Sequence, residues 1–373
     1  MKQFAPDRRK ARNVGVLAGL VVAMTLGLAG CASQPKGEAP MILRWPEAPL
    51  PTRIEYVTVI RGSRDLEGPP TFGDQFARFV GLDADANQIM VHPADIEVTP
   101  DGQVVYVSDF ARGVVHVFDR LQKKARVIGE DQPFSRPFGL DLDSAGRIWL
   151  VEQGKQQIRV LDAEGRTERI LQDPHFIRPV DLALDEARGR VYVADPSHQD
   201  SQEHYVRILD LEGNYLGELG SGRGTSEGNL LFPTYLAVDG DGNVYVSDTM
   251  NSRVSIFASD GSFQRTVGSR GDGFGLFDKP KGVAVDSFGN LYVVDSSWSN
   301  VQIFGPEGQV LLYFGGRGGY PGLLRNPTGI AIAQDTNTIF VADYLNRRVV
   351  IYQLVNTDAD DSKPDDAEQE PEG

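Results

Sequence analysis

The sequence predicts an all-β fold, a six-bladed β-propeller of four-stranded blades closed by an N-terminal strand, and three observations carry that prediction. First, an aliphatic residue, an aromatic, an aliphatic, any residue and an acid recur in that order six times. The copies are Val105-Tyr106-Val107-Ser108-Asp109, Ile148-Trp149-Leu150-Val151-Glu152, Val191-Tyr192-Val193-Ala194-Asp195, Val244-Tyr245-Val246-Ser247-Asp248, Leu291-Tyr292-Val293-Val294-Asp295 and Ile339-Phe340-Val341-Ala342-Asp343. Second, the acids stand 43 to 53 residues apart, about the length of one propeller blade. Third, a proline opens every copy, at Pro93, Pro137, Pro179, Pro233, Pro280 and Pro327, where its missing donor does least harm, at the start of a strand.

Each element follows from local chemistry. In the fourth copy an inner strand follows Pro233 and Asp239-Gly240-Asp241-Gly242 turns the chain into the Val244 strand. A loop through Asn251 then leads to Val254-Ser255-Ile256-Phe257, and Asp260-Gly261 turns into an outer strand from Phe263 to Val267. Alternating Val, Ile and aromatic residues place the core between neighbouring blades. The last copy ends after Ile351-Tyr352 without a fourth strand, whereas Ile54 to Ile60 is a strand with no repeat around it. That segment is expected to complete the sixth blade and remove two exposed edges. Between it and the first blade, residues 71–82 place Phe72, Phe76, Phe79 and Val80 at helical spacing, which predicts a short helical insertion.

The termini divide from the propeller by composition. Five basic residues precede an apolar run from Val14 to Leu28, too short for a comfortable span, which reads residues 1–30 as a secretion signal. Leu28-Ala29-Gly30-Cys31 resembles the bacterial lipobox, which implies cleavage before Cys31 and lipidation of its thiol. Ala32 rather than Asp after that cysteine implies an outer-membrane destination, so the expectation is an exported lipoprotein facing the periplasm, held to the membrane only by its lipid. Cys31 is the only cysteine in the chain, which excludes an intramolecular disulfide framework. Residues 31–52 are rich in proline and small residues and read as a tether. Residues 53–355 make the propeller, and 356–373 form an acidic tail expected to be disordered, with eight acids and one lysine from Asp358 onward. Removing residues 1–30 takes the formal charge from −15 to about −19, which argues against nucleic acid as a partner.

Pro280-Lys281-Gly282-Val283-Ala284-Val285-Asp286, then aliphatic-Tyr-Val-x-Asp, then Asn251-Ser252-Arg253-Val254-Ser255-Ile256-Phe257 resemble the NHL repeat, and the resemblance spans about residues 93 to 355. It implies a propeller. NHL-type propellers include interaction modules and a few enzymes, so it does not choose an activity.

The acids that end each second strand could be imagined as a metal ring, but their presence in every copy points to a structural cap on the following loop. Asp239 starts a turn resembling the first half of a calcium loop; the twelfth position is Met250 rather than the bidentate Glu, so a plain hairpin is expected. Strand order places the approach to each first strand and each loop between second and third strands at one end, the top. His92, Arg136, Arg178, Lys279, Lys281 and Arg325 stand beside the prolines there, with Arg223, Arg270 and Arg317 in the linkers and Phe110, Met250, Trp298 and Tyr344 in the loops. Cations mixed with aromatics are the composition of binding hot spots. Arg136, Arg178, Lys281, Trp298 and Tyr344 are the candidate contacts for an envelope protein partner or an anionic polymer. Acids gather at the opposite end.

Three copies depart from Pro-x-Gly, with Asp95, Asp181 and Tyr235 near the mouth of the central channel. A metal-dependent propeller hydrolase or lyase working there is the alternative function, on calcium held by carboxylates or zinc held by histidines. Two acids and a tyrosine do not complete either site, and no cofactor is expected. His198, Asp200, Glu203 and His204 in the lengthened third copy are a weaker metal candidate, read first as a solvated insertion. No phosphate loop, hydrolase nucleophile elbow or haem-attachment motif is present.

Overall fold

The computed structural model describes residues 43–47, 50–67 and 89–355. Cys31, most of the tether, the 71–82 segment and the acidic tail lie outside the described residues. The chain forms six antiparallel sheets in which sequence neighbours pair. Blade 1 runs from the inner strand Pro93–Val98 through Val104–Asp109 and Val114–Asp119 to the outer strand Lys124–Ile128. The inner strands of blades 2 to 6 are Pro137–Leu142, Asp181–Asp185, Pro233–Val238, Pro280–Val285 and Pro327–Ala333. They neighbour one another in a ring, and the last packs against the first.

Blade 6 supplies only three strands from the C-terminal end, the outermost being Arg348–Leu354. Ile54–Ile60 pairs with it antiparallel, Ile54 against Leu354 and Ile60 against Val349, with a bulge at Val57. The expected closure strand is therefore in place, and Arg44–Trp45 adds a short fifth strand outside it.

The hydrophobic core is six clusters, one at each blade interface, as the alternation predicts. Trp149, Val151 and Val160 of blade 2 meet Leu182, Val191 and Leu209 of blade 3, for example. Val294, Ile303 and Phe314 of blade 5 meet Ile339, Val350 and Tyr352 of blade 6, with Ile54 of the closure strand. Between described residues 64 and 67 there is one turn of helix, Arg64–Glu67.

Candidate functional site

The six recurring acids are clasps. Each carboxylate accepts a backbone N–H 17 or 18 residues earlier, on the approach to its own blade: Val91 to Asp109, Ser135 to Glu152, Ile177 to Asp195, Leu231 to Asp248, Asp278 to Asp295 and Arg325 to Asp343. Several also cap the loop that follows, as Asp109 does for Ala111 and Arg112. A carboxylate at this place fixes both top loops of a blade together, which explains the repetition. Asp109 and Glu152 are drawn down to about 2, their hydrogen bonds outweighing burial.

The departures from Pro-x-Gly lie deeper than the mouth. Asp95 and Asp181 are buried in the wall of a central cavity of about 230 Å³ whose lining comes from all six inner strands. Asp95 Oδ2 accepts from the Leu140 N–H of blade 2, and Asp181 Oδ2 accepts from the Leu236 N–H of blade 4. Each carboxyl also lies over a glycine of the preceding blade: a Cβ at Gly329 would sit 2.3 Å from Asp95 Oδ1, and one at Gly139 would sit 1.9 Å from Asp181 Oδ1. The two aspartates thus stitch blades 6, 1 and 2 and blades 2, 3 and 4. Tyr235 is buried and donates its hydroxyl proton across the axis to the Ala94 carbonyl at 2.9 Å. It spans the channel from blade 4 to blade 1.

Two further acids line the same cavity. Glu97 and Asp141 follow their prolines by four residues, where the other four copies carry Ala183, Ala237, Ala284 and Ala331. All four carboxyls belong to blades 1 to 3, so one wall of the channel is acidic and the other is glycine, alanine and tyrosine. Glu97 and Asp141 are half-buried in the cavity wall. Burial pushes Asp95 and Asp141 up to about 7, and the backbone N–H groups of Leu140 and Leu184 only partly offset it. Burial first, then the neighbouring acids, pushes Glu97 and Asp181 well above the ordinary carboxylate range. Asp181 Oδ1 is buried with no hydrogen-bond partner. Among the described residues no three His, Cys, Asp or Glu side chains are disposed to hold a metal ion.

Above this cavity the top is aromatic and basic. Phe138 packs edge-on against Phe110 and tilted against Tyr235, and His92 stacks on Tyr344 at 4.6 Å. Arg178 lies over the Phe232 ring at 4.6 Å, and burial lowers its affinity for protons, Arg136 adding to the effect. Arg136 itself is exposed. Lys281, next to Pro280 on the inner strand of blade 5, is half-exposed in a niche whose walls, with Lys279 nearby, hold its ammonium down at about 8. No carboxylate pairs with it among the described residues. Trp298 stands apart from this group: its indole donates to the Gly271 carbonyl, and it lines a separate outer pocket with Phe274 and Tyr313. Arg270 and Arg317 are linker ties, donating to the Met250 and Ser297 carbonyls.

Among the described residues the blade 3 insertion does not gather its four candidate ligands into one cluster. His204 is buried, with Nδ1 accepting from the Phe232 N–H and Nε2 facing the His198 carbonyl, while Glu203 pairs with Arg207. Asp200 is exposed.

The NHL repeat profile matches residues 230–257, which are the first three strands of blade 4 and the approach to them. The chain is 26% identical over 139 residues to a probable peptidyl-alpha-hydroxyglycine alpha-amidating lyase of Caenorhabditis elegans, covering 34% of this chain and 38% of that protein. It is 25% identical over 211 residues to peptidyl-glycine alpha-amidating monooxygenase B of Xenopus laevis, covering 50% of this chain and 23% of that protein. The match therefore spans well under half of either relative. Among solved structures, a gluconolactonase of Xanthomonas campestris superposes with a TM-score of 0.56 at 20% identity, over 71% of this chain and 87% of that one. A streptogramin B lyase superposes at 0.50 and 13% identity, over 71% and 94%. At such identity the likeness is one of fold. The chain is a six-bladed β-propeller that carries an NHL repeat in its fourth blade.

Proposed function

We propose that this propeller is a binding module of the bacterial cell envelope, anchored by a lipid on Cys31 and exported to the outer membrane, which takes an anionic partner on its top face. The observation that carries the reading is Lys281. A positive charge in a protein-walled niche is costly unless something opposite pairs with it, and none of the described residues does. A carboxylate or phosphate from a protein partner or an anionic polymer would supply that charge. Arg178 and Arg136 add cations beside it, and Tyr344, stacked on His92, adds an aromatic contact. Phe110, Phe138 and Tyr235 beneath form a floor without charge, so the contact would be desolvated as well as paired.

The test is crosslinking in intact cells, comparing the native chain with an Arg136→Ala, Arg178→Ala, Lys281→Ala triple variant. Capture of a partner by the native chain and its loss in the variant is expected; the same partner on both would remove the top face from consideration.

A second reading, a hydrolase or lyase, is favoured by one specific observation, the acid-walled cavity, and by relatives and neighbours of lyase and lactonase type. The hydrogen bonds of Asp95, Asp141 and Asp181 to backbone of the next blade give those acids structural work already. We therefore favour binding.

A further inference from the structure

Blades 4 and 6 each fill one pocket with an arginine. In blade 4, Arg253 Nε donates to Asp248 Oδ2 at 2.9 Å, and its terminal nitrogens donate to the carbonyls of Thr225, Ser226 and Asn229 at 3.2, 2.9 and 2.8 Å. Arg348 of blade 6 does the same with Asp343 and the carbonyls of Gly319, Tyr320 and Leu323. Both arginines stand directly opposite their acid in the sheet register. Asn251 and Asn346, two residues earlier, donate to the carbonyls of Gly224 and Gly318.

In blade 5 the residue opposite the acid Asp295 is Asn300, and the residue two before it is Trp298. The frame is the same: Trp298 Nε1 reaches the Gly271 carbonyl, the counterpart of Gly224 and Gly318, and parallel bridges fix the three linkers in register. Asn300 is too short to take the arginine's place. Its Oδ1 is buried without a partner, and Gln302 donates to the Leu276 carbonyl instead. Among the described residues no side-chain donor reaches the carbonyls of Asp272 or Gly273, the counterparts of Thr225 and Ser226. Asp109, Glu152, Asp248 and Asp343 each have a basic side chain within 4 Å, and Arg207 acts on Asp195 from further off. Asp295 has no such neighbour among the described residues.

What stands where the guanidinium would be is an open pocket of about 210 Å³ walled by Trp298, Phe274 and Tyr313, with Asp272 at its rim. Trp298, Phe274 and Tyr313 are 41%, 67% and 43% exposed, and Phe274 meets Tyr313 edge-on at 4.8 Å. Aromatic faces beside carbonyl and carboxylate oxygens are the surroundings that a planar, weakly hydrated cation prefers.

We propose that the blade 5 pocket receives an arginine side chain from a protein partner, which occupies in trans the place that Arg253 and Arg348 occupy within their own blades. The chemistry of the occupant is read from the two filled copies of the same pocket. The proposal does not rest on the basic rim, and its failure would leave that rim untouched, because none of Arg136, Arg178 or Lys281 lines this pocket.

The experiment is calorimetric titration of the purified full chain with three capped tripeptides, Gly-Arg-Gly, Gly-Lys-Gly and Gly-citrulline-Gly. Citrulline keeps the shape of arginine and removes the charge. The arginine peptide is expected to bind at least tenfold more tightly than either of the others. Asn300→Arg should fill the pocket from within, abolishing that binding while leaving the melting temperature unchanged or raised. Equal binding of the arginine and citrulline peptides, equal binding of the lysine peptide, no binding of the arginine peptide, or undiminished binding to a folded Asn300→Arg variant would each overturn the proposal. Should Asn300→Arg fail to fold, Phe274→Ser on the exposed linker should weaken the arginine peptide at least threefold, and the comparison of peptides on the native chain decides in any case.

Discussion

Asp95 and Asp181 do at the residue scale what glycine does elsewhere in this fold: they settle how closely inner strands approach. Their carboxyls reach over Gly329 and Gly139 and accept N–H bonds from the next blade, and they are held in a cavity that favours the protonated form. A carboxyl whose proton affinity is higher folded than unfolded is fully compatible with folding below about pH 4 and loses stability as pH rises through its folded value, about 7 for Asp95 and Asp141. For Asp95 alone the loss is at most about 4 kcal/mol. Asp95→Asn, which keeps an acceptor for Leu140 and cannot ionise, should leave the melting temperature near the native value at pH 4 and raise it by several degrees at pH 8. Melting curves that differ equally at both pH values would contradict this account of the cavity. The sequence made Asp95, Asp181 and Tyr235 visible because they break Pro-x-Gly. Glu97 and Asp141 escaped because they lie two residues further along, where the signal was four alanines against two acids. Trp298 was legible as an aromatic top residue, but its standing in the place of Asn251 and Asn346 shows only when blades are laid over one another.

At the scale of the element, the strand Ile54–Ile60 carries the closure of the ring. It buries Ile54, Val59 and Ile60 and covers the edge of Arg348–Leu354. Three aliphatic side chains at about 1.5–3 kcal/mol each are comparable with the whole stability of an ordinary domain, about 5–15 kcal/mol. Deleting residues 53–60 should therefore lower the melting temperature by at least about 10 °C and produce aggregate on size-exclusion chromatography; a monomer of native melting temperature would refute the closure role. This strand was legible because seven residues rich in β-formers, without a repeat around them, answered a blade that lacked a strand. Arg44–Trp45 was not, since two residues carry no period, and nor was the start of blade 3's inner strand at Asp181 rather than at Pro179.

At the scale of the whole molecule the chain pairs an acidic balance, −15 in formal charge, with cations gathered on one face, so the proposed anionic partner would be met by local rather than net charge. The proposed lipid anchor belongs to the same scale: labelled palmitate should be incorporated into the native protein and not into a Cys31→Ser variant, and labelling of both would dismiss the anchor. The ring of blades was legible in full because its code is repeated six times; the partner was not, because recognition falls to residues that occur once. The most direct test of the binding claim is the affinity of the full chain for a labelled polyglutamate peptide between pH 6 and 9.5. If the niche around Lys281 binds anions, affinity should fall at least tenfold as pH rises past about 8, and a Lys281→Met variant should bind weakly with no such step. A flat profile, or a step that persists in the variant, would contradict it.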